Sequence, residues 1–325
     1  MSGATPALPS PAWLAPQQAT LRAAYAAGRL PHGLLVHEAP GAGGEWLGFW
    51  AAQLVLCEHP DRAPCGSCRG CRRALARAHP DLLYLGLEED SRQIRIEQVR
   101  DLSAELALTA HGGGYKVALV SPADAMNRFA ANALLKTLEE PPPRTLLVLV
   151  VTQPSRLPAT VLSRCQRLRV PAPARAQSLA WLAAVRGPGD WGRVLDVLGE
   201  APLLAATGDP AELAAVGTEV VQGLQSLSEA GGDVVSLAER WARDEVALRL
   251  RCIENWLTER IRRAGSEGAF MTEVGAGPYL SGARPVLNIR ELFGLVEEAR
   301  ELRATLDVPL NRGLALEALL RQLAR

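Results

Sequence analysis

The sequence predicts an α/β domain built on a parallel sheet, followed by an all-helical remainder. Three observations carry this. From residue 33 to about 170, short apolar runs alternate with segments of helical periodicity. After PAPARAQ (171–177) the strand signals fade into Ala/Leu/Arg/Glu-rich helical spacing. A dense cysteine cluster interrupts the first half, between the first and second candidate strands.

In chain order, the candidate strands are LLVH (34–37), LLYLGL (82–87), VALV (117–120), LLVLVV (146–151) and QRLRV (166–170). Between them Val99, Leu102 and Leu106 mark one amphipathic helix. Ala131, Leu134, Leu135 and Leu138 mark another, which stops before Pro141, Pro142 and Pro143 because proline cannot continue a helix. Strands alternating with helices imply a sheet covered on both faces. In the remainder, VVSLAERWARDEVALRLRCIENWLTERIRR and RELFGLVEEARELRATL have helical spacing, and Gly and Pro near 187–189 and 208–210 break the pattern into shorter helices. The expected organisation is an α/β core over 1–172 carrying a cysteine module at about 57–71, a small helical domain over 173–215 and a helical bundle over 216–325.

A length of 325 residues suits two or three domains, and a hydrophobic content of 48% is ample for packed interiors. The formal net charge is zero, so no global field favours nucleic acid or a membrane surface, and any DNA contact must be local. Only Lys116 and Lys136 are lysines among 35 basic residues. The N-terminus, MSGATPALPSPAW, has neither a basic n-region nor an apolar h-region, and the longest aliphatic run, LLVLVV, is far short of a membrane span. The chain is therefore expected to be soluble and cytoplasmic.

Four of the six cysteines lie in CEHPDRAPCGSCRGC: Cys57, Cys65, Cys68 and Cys71. In a reducing compartment such a cluster favours a metal over disulfides. Four thiolates close a tetrahedral Zn²⁺ shell and leave no open position, so the expected site is structural. Unligated thiols, or His59 replacing one Cys, are the alternatives. Cys252, on a helical pattern, reads as a small buried apolar residue.

EAPGAGGEW (38–46) stands between an apolar run and a helix-like segment, where a phosphate-cradling loop belongs. In such a loop backbone N–H groups close around phosphates, a Lys reaches the β and γ phosphates, and a Ser or Thr holds Mg²⁺. Gly41, Gly43 and Gly44 are present, whereas the Lys and the Ser/Thr are not, and neither lysine of the chain lies nearby in sequence. A plain strand-to-helix turn is the competing reading. Downstream, KVALV ends in Ser121 and Pro122, which can neither hold Mg²⁺ nor polarise water, and Asp124 lies further into the next turn. LSRCQR (162–167) offers Arg164, flanked by Ser163 and Cys165, as either a solvated surface residue or a guanidinium that projects toward a phosphate.

NALLKTLEEPPPRTLLVLVVTQPSRLPATVLSRC (132–165) closely resembles the AAA+ clamp-loader subunits of bacterial replicases, including their Ser-Arg-Cys motif. GRLPHGLLVHEAPGAGG (28–44) resembles that family's entry into the first strand and phosphate loop, and the cysteine module is typical of its bacterial members. LNRGLALEALLRQL (310–323) is similar to the end of its helical collar. The resemblance covers residues 20–170 well and the last third mainly in pattern. It implies an AAA+ core with an inserted zinc module, a helical lid and a C-terminal collar.

The family's hydrolysing subunits keep GKT/S in the loop and an Asp-Glu pair on the next core strand. Gly44 and Glu45 stand where the Lys and Thr/Ser would be, Ser121 and Pro122 where the acids would be, and Pro202 where a lid-domain arginine would follow Gly199. Ser163, Arg164 and Cys165 are intact. The resemblance therefore implies a member without intrinsic ATPase activity that lends Arg164 in trans to a neighbouring ATPase subunit, as a component of the replicative polymerase holoenzyme. Gly41, Gly43 and Gly44 would form a degenerate loop that binds no ATP productively, with Glu45 repelling phosphate. The implied cofactor is structural Zn²⁺. The implied partners are gamma/tau-type ATPase subunits and the delta subunit, with the sliding clamp and primer-template DNA met through the complex. An active gamma/tau-type ATPase, a stand-alone zinc nucleic-acid-binding protein and a zinc hydrolase are the alternatives.

Overall fold

The computed structural model describes residues 10–88, 91, 93–230, 233–266, 289–306 and 311–324. Residues 1–9 of the amino-terminal stretch read for a leader, and Leu310 of the collar-like run, lie outside the described residues. Among the described residues no helix is long and apolar enough to cross a membrane. The chain divides into two compact units, one of residues up to 185 together with 200–204, the other of 186–199 and the residues from 205 onward.

The first unit is a five-stranded parallel sheet: β1 (Gly33–Glu38), β2 (Leu82–Leu85), β3 (Lys116–Val120), β4 (Thr145–Val151) and β5 (Gln166–Val170), in the order β2-β3-β4-β1-β5. Each expected strand is present, within two residues at either end. Every residue of β3 and β4 is buried, as a central parallel strand covered on both faces requires. Helices in this unit are α1 (Ala15–Ala26), α2 (Gly44–Val55), α3 (Arg69–Leu75), α4 (Ile96–Ala107), α5 (Arg128–Ala133), α6 (Leu135–Glu139), α7 (Ala159–Leu162) and α8 (Arg175–Arg186).

The pleat sorts the core. Ala118, Val120, Leu147, Leu149, Val151 and Leu35 face one side, where Val99, Leu102 and Leu106 of α4 and Ala130, Ala131 and Leu138 of α5 and α6 meet them in one buried cluster. On the other side α2 lies so close to the sheet that a Cβ on Gly48 would come 2.5 Å from a Leu119 methyl. Fully burying one such Leu or Val stabilises the fold by about 1.5–3 kcal/mol. The single helix expected over 131–138 is two, α5 and α6, meeting at Leu134, which is itself fully buried.

The described part of the second unit is helical: α9 (Trp191–Leu198), α11 (Pro210–Ala230), α12 (Val234–Trp241), α13 (Val246–Ser266), α14 (Ile289–Ala304) and α15 (Arg312–Leu323), with α10 (Pro202–Ala205) at the point where the chain crosses between units. Arg249, 4% exposed, is tied to Glu219 at 2.7 Å and Asp244 at 3.2 Å, satisfying a buried charge. Glu254 of α13 binds Arg303 of α14 at 2.5 Å. Cys252 is buried, and burial pushes its thiol up to about 12.

Candidate functional site

Strand β1 delivers Glu38 to the start of the glycine loop. Gly43 caps α2 with φ 103°, a left-handed backbone that glycine adopts without strain. This conformation turns two successive N–H groups inward, the arrangement that binds a phosphate at a helix N-terminus. Here both donate to one oxygen of Glu38: Gly43 N at 2.9 Å and Gly44 N at 2.6 Å from Oε2. An internal carboxylate thus sits where an anion would. Burial pushes the Glu38 carboxyl above its usual range; the Gly44 and Gly43 N–H bonds oppose the shift, and the Glu45 and Asp124 carboxylates add to it.

The loop is also covered. Leu203 N donates to Gly41 O at 3.3 Å, and a Cβ on Gly43 would lie 2.8 Å from a Leu203 methyl. Ala201 and Leu203 therefore cover the loop, and Pro202 between them stands at the position where the resemblance places an arginine.

Glu45, expected to repel phosphate from beside the loop, lies near enough for its charge to act on Glu38. Its carboxylate turns to Arg77 (2.6 Å), the Ser121 hydroxyl (3.0 Å) and the Tyr84 hydroxyl (3.3 Å). The Arg77 guanidinium lies over the rings of Phe49 (4.6 Å) and Tyr84 (4.4 Å). Glu45 and Ser121, which stand where the resemblance implies metal-binding groups, are thus hydrogen-bonded directly to each other. Burial, with Glu45 beside it, pushes the Tyr84 phenol up to about 12. Asp124 is buried and spent on the end of β4, accepting from Thr152 N (3.0 Å), Thr152 Oγ1 (2.9 Å) and Gln153 N (2.8 Å).

Cys57, Cys65, Cys68 and Cys71 bring their sulfurs within 4.8 Å of one another. Two of the separations, Cys65–Cys71 and Cys57–Cys68, are 4.0 Å. A tetrahedron with Zn–S bonds of about 2.3 Å has edges of about 3.8 Å, so the donor set fits the ion. Backbone donors reach three of the sulfurs, Cys68 N to Cys65 Sγ and Cys71 N to Cys68 Sγ, both at 3.3 Å, and His59 N to Cys57 Sγ at 3.4 Å, while burial pushes the Cys57 and Cys71 thiols up. Led by the Cys68 N–H, backbone donors hold the Cys65 thiol down to about 5. The module is seated on α2, where Gln53 donates to Cys71 O at 3.0 Å.

Ser163, Arg164 and Cys165 follow α7 and lead into β5. Cys165 is 9% exposed in the core cluster, and burial pushes its thiol up to about 11. The Arg164 side chain is 36% exposed. Its Nη1 donates to Thr160 O at 3.0 Å and to Ser163 Oγ at 3.4 Å, and its Nη2 meets Glu139 Oε1 at 2.6 Å. These partners are distinct from the residues around Gly41–Gly44, so the glycine loop and Arg164 are served by separate neighbours.

A family model described as "DNA polymerase III, delta subunit" matches residues 15–174. The DNA polymerase III subunit delta' of Pseudomonas aeruginosa is 37% identical over 90% of this chain and 92% of that protein. The chain belongs to the DNA polymerase III delta' family. The delta' subunit of Escherichia coli is 33% identical over 77% of this chain and 76% of that protein. The tau subunit of Escherichia coli is 34% identical over 45% of this chain and 22% of that protein. Membership of the delta' family and the parallel core with a four-cysteine cluster agree with the fold read from the sequence. Glu38 and Arg77 went unnoticed there: Glu38 opens the EAPGAGGEW run, but its partners are backbone N–H groups with no side-chain signature.

Proposed function

We propose that this chain is a non-hydrolysing subunit of a bacterial replicative clamp loader, and that it lends Arg164 in trans to ATP held by a neighbouring ATPase subunit. Its place in the delta' family, with tau among its relatives, puts it in a complex with other clamp-loader subunits. One contrast carries the finer reading: the phosphate loop is filled by Glu38 and Leu203, while Arg164 stays half-exposed in an intact Ser-Arg-Cys motif. A guanidinium is planar, permanently charged and able to bridge two phosphate oxygens, so it can stabilise charge that develops on a transferring phosphoryl group. The neighbour supplies nucleotide, Mg²⁺ and water. Arginines given in trans accelerate such reactions by about 10³ to 10⁵ elsewhere.

In this reading gamma/tau-type and delta subunits are the partners, and the sliding clamp and primed DNA are met through the assembled ring in the cytoplasm. Residues 173–215 serve as a lid and 216–325 as the collar. Cys57, Cys65, Cys68 and Cys71 hold a structural Zn²⁺, which crosslinks the module and takes no part in chemistry. The test is ATP hydrolysis by the isolated chain and by loaders assembled with and without it. A silent chain that raises the rate of the assembly supports the proposal; hydrolysis by the chain alone refutes it.

A further inference from the structure

We propose that Glu139 is the resident partner of Arg164 and competes with phosphate for it, so that this residue of the chain's own α6 sets how readily the arginine is released to a neighbour. The inference rests on the trans role of Arg164. Three contacts support it. Nη2 of Arg164 is neutralised by Glu139 Oε1 at 2.6 Å, while Nη1 is anchored to Thr160 O and Ser163 Oγ on the arginine's own side of the turn. Glu139 is held in place from behind: Leu138 is 2% exposed in the core cluster, and its carbonyl meets His32 Nε2 at 3.0 Å.

The backbone that carries Glu139 is therefore anchored, while its side chain is half-exposed, at 50%. To turn Nη2 fully toward a phosphate the guanidinium must give up Glu139, whereas the Nη1 bonds to Thr160 and Ser163 can persist as a pivot. A half-exposed ion pair moves an equilibrium only about two- to fivefold. A nucleotide phosphate carrying more than one charge displaces it easily, and an empty or misaligned neighbour does not. Glu139 is thus a positioning residue that pairs with the charged guanidinium between turnovers.

The experiment compares clamp loaders reconstituted with wild-type chain, Glu139→Gln, Arg164→Ala and the double variant, reading ATP hydrolysis without and with clamp and primed DNA. Glu139→Gln is expected to raise the unstimulated kcat about two- to fivefold with KM for ATP unchanged, and to have no effect beside Arg164→Ala. An unstimulated rate unchanged or lowered by Glu139→Gln, in a loader that Arg164→Ala slows, overturns the competition. A gain that persists in the double variant overturns it too, since the effect would not pass through the arginine. If Arg164→Ala itself changes nothing in an intact complex, the trans role fails and this inference with it.

Discussion

The N–H of Gly44 donates to the carboxylate of Glu38 at 2.6 Å, which makes the first turn of α2 its own anion site, already filled. A phosphate arriving there would compete with a part-buried carboxylate six residues away in the chain, under a cover of Ala201 and Leu203. In the proposed reading this internal ligand, beside the missing loop lysine, keeps the chain from holding ATP productively.

The Glu38 carboxyl has a raised pKa in the folded chain, so the folded state binds its proton more tightly than the unfolded state does. The stability this group contributes is complete below the unfolded pKa and is lost as pH rises through the folded one. Glu38→Gln removes that dependence. Wild type should therefore gain stability relative to Glu38→Gln as pH is lowered from 7 toward 5, in parallel urea titrations. A difference that does not change with pH would contradict the burial argument.

Gly43→Ala places a Cβ at a left-handed φ and 2.8 Å from a Leu203 methyl. The combined strain should cost about 1–3 kcal/mol, read as a lowered denaturation midpoint. A neutral outcome would mean that the 201–203 segment does not press on the loop.

Asp124 accepts three hydrogen bonds from a buried position. Asp124→Ala should destabilise the α/β unit by about 2–4 kcal/mol, because backbone donors at Thr152 and Gln153 lose their acceptor, and Asp124→Asn should recover part of that. Equal losses for the two variants would count against hydrogen bonding as the cause.

Elemental analysis should find about one Zn²⁺ per chain, and none in Cys71→Ser. Chelation should raise amide exchange across 57–77 before the sheet responds, and the Arg77–Glu45 pair, delivered by the end of that module, should loosen with it. Protection unaffected by metal removal would dismiss the structural role.

The sheet was readable because β3 and β4 are apolar after their first residues, Lys116 and Thr145, and the cysteine module because its cysteines are close in sequence. The loop glycines were readable for the same reason. What escaped depends on distance or on backbone: the two N–H groups that Glu38 satisfies, the 32-residue span from Glu45 to Arg77, and the return of Leu203 to Gly41. Glu45 could be read as a charge beside the loop, but not its pairing with the guanidinium stacked on Phe49 and Tyr84. Arg164 could be singled out by its motif, but its tie to Glu139 needed the turn after α7 to meet the end of α6.

The central claim is that a chain with a filled phosphate loop acts through Arg164. Its most direct test is clamp- and DNA-stimulated ATP hydrolysis by a reconstituted loader, wild type against Arg164→Ala, with assembly checked by size-exclusion chromatography. The account predicts a fall of an order of magnitude or more in an intact complex; an unchanged rate in that complex would contradict it.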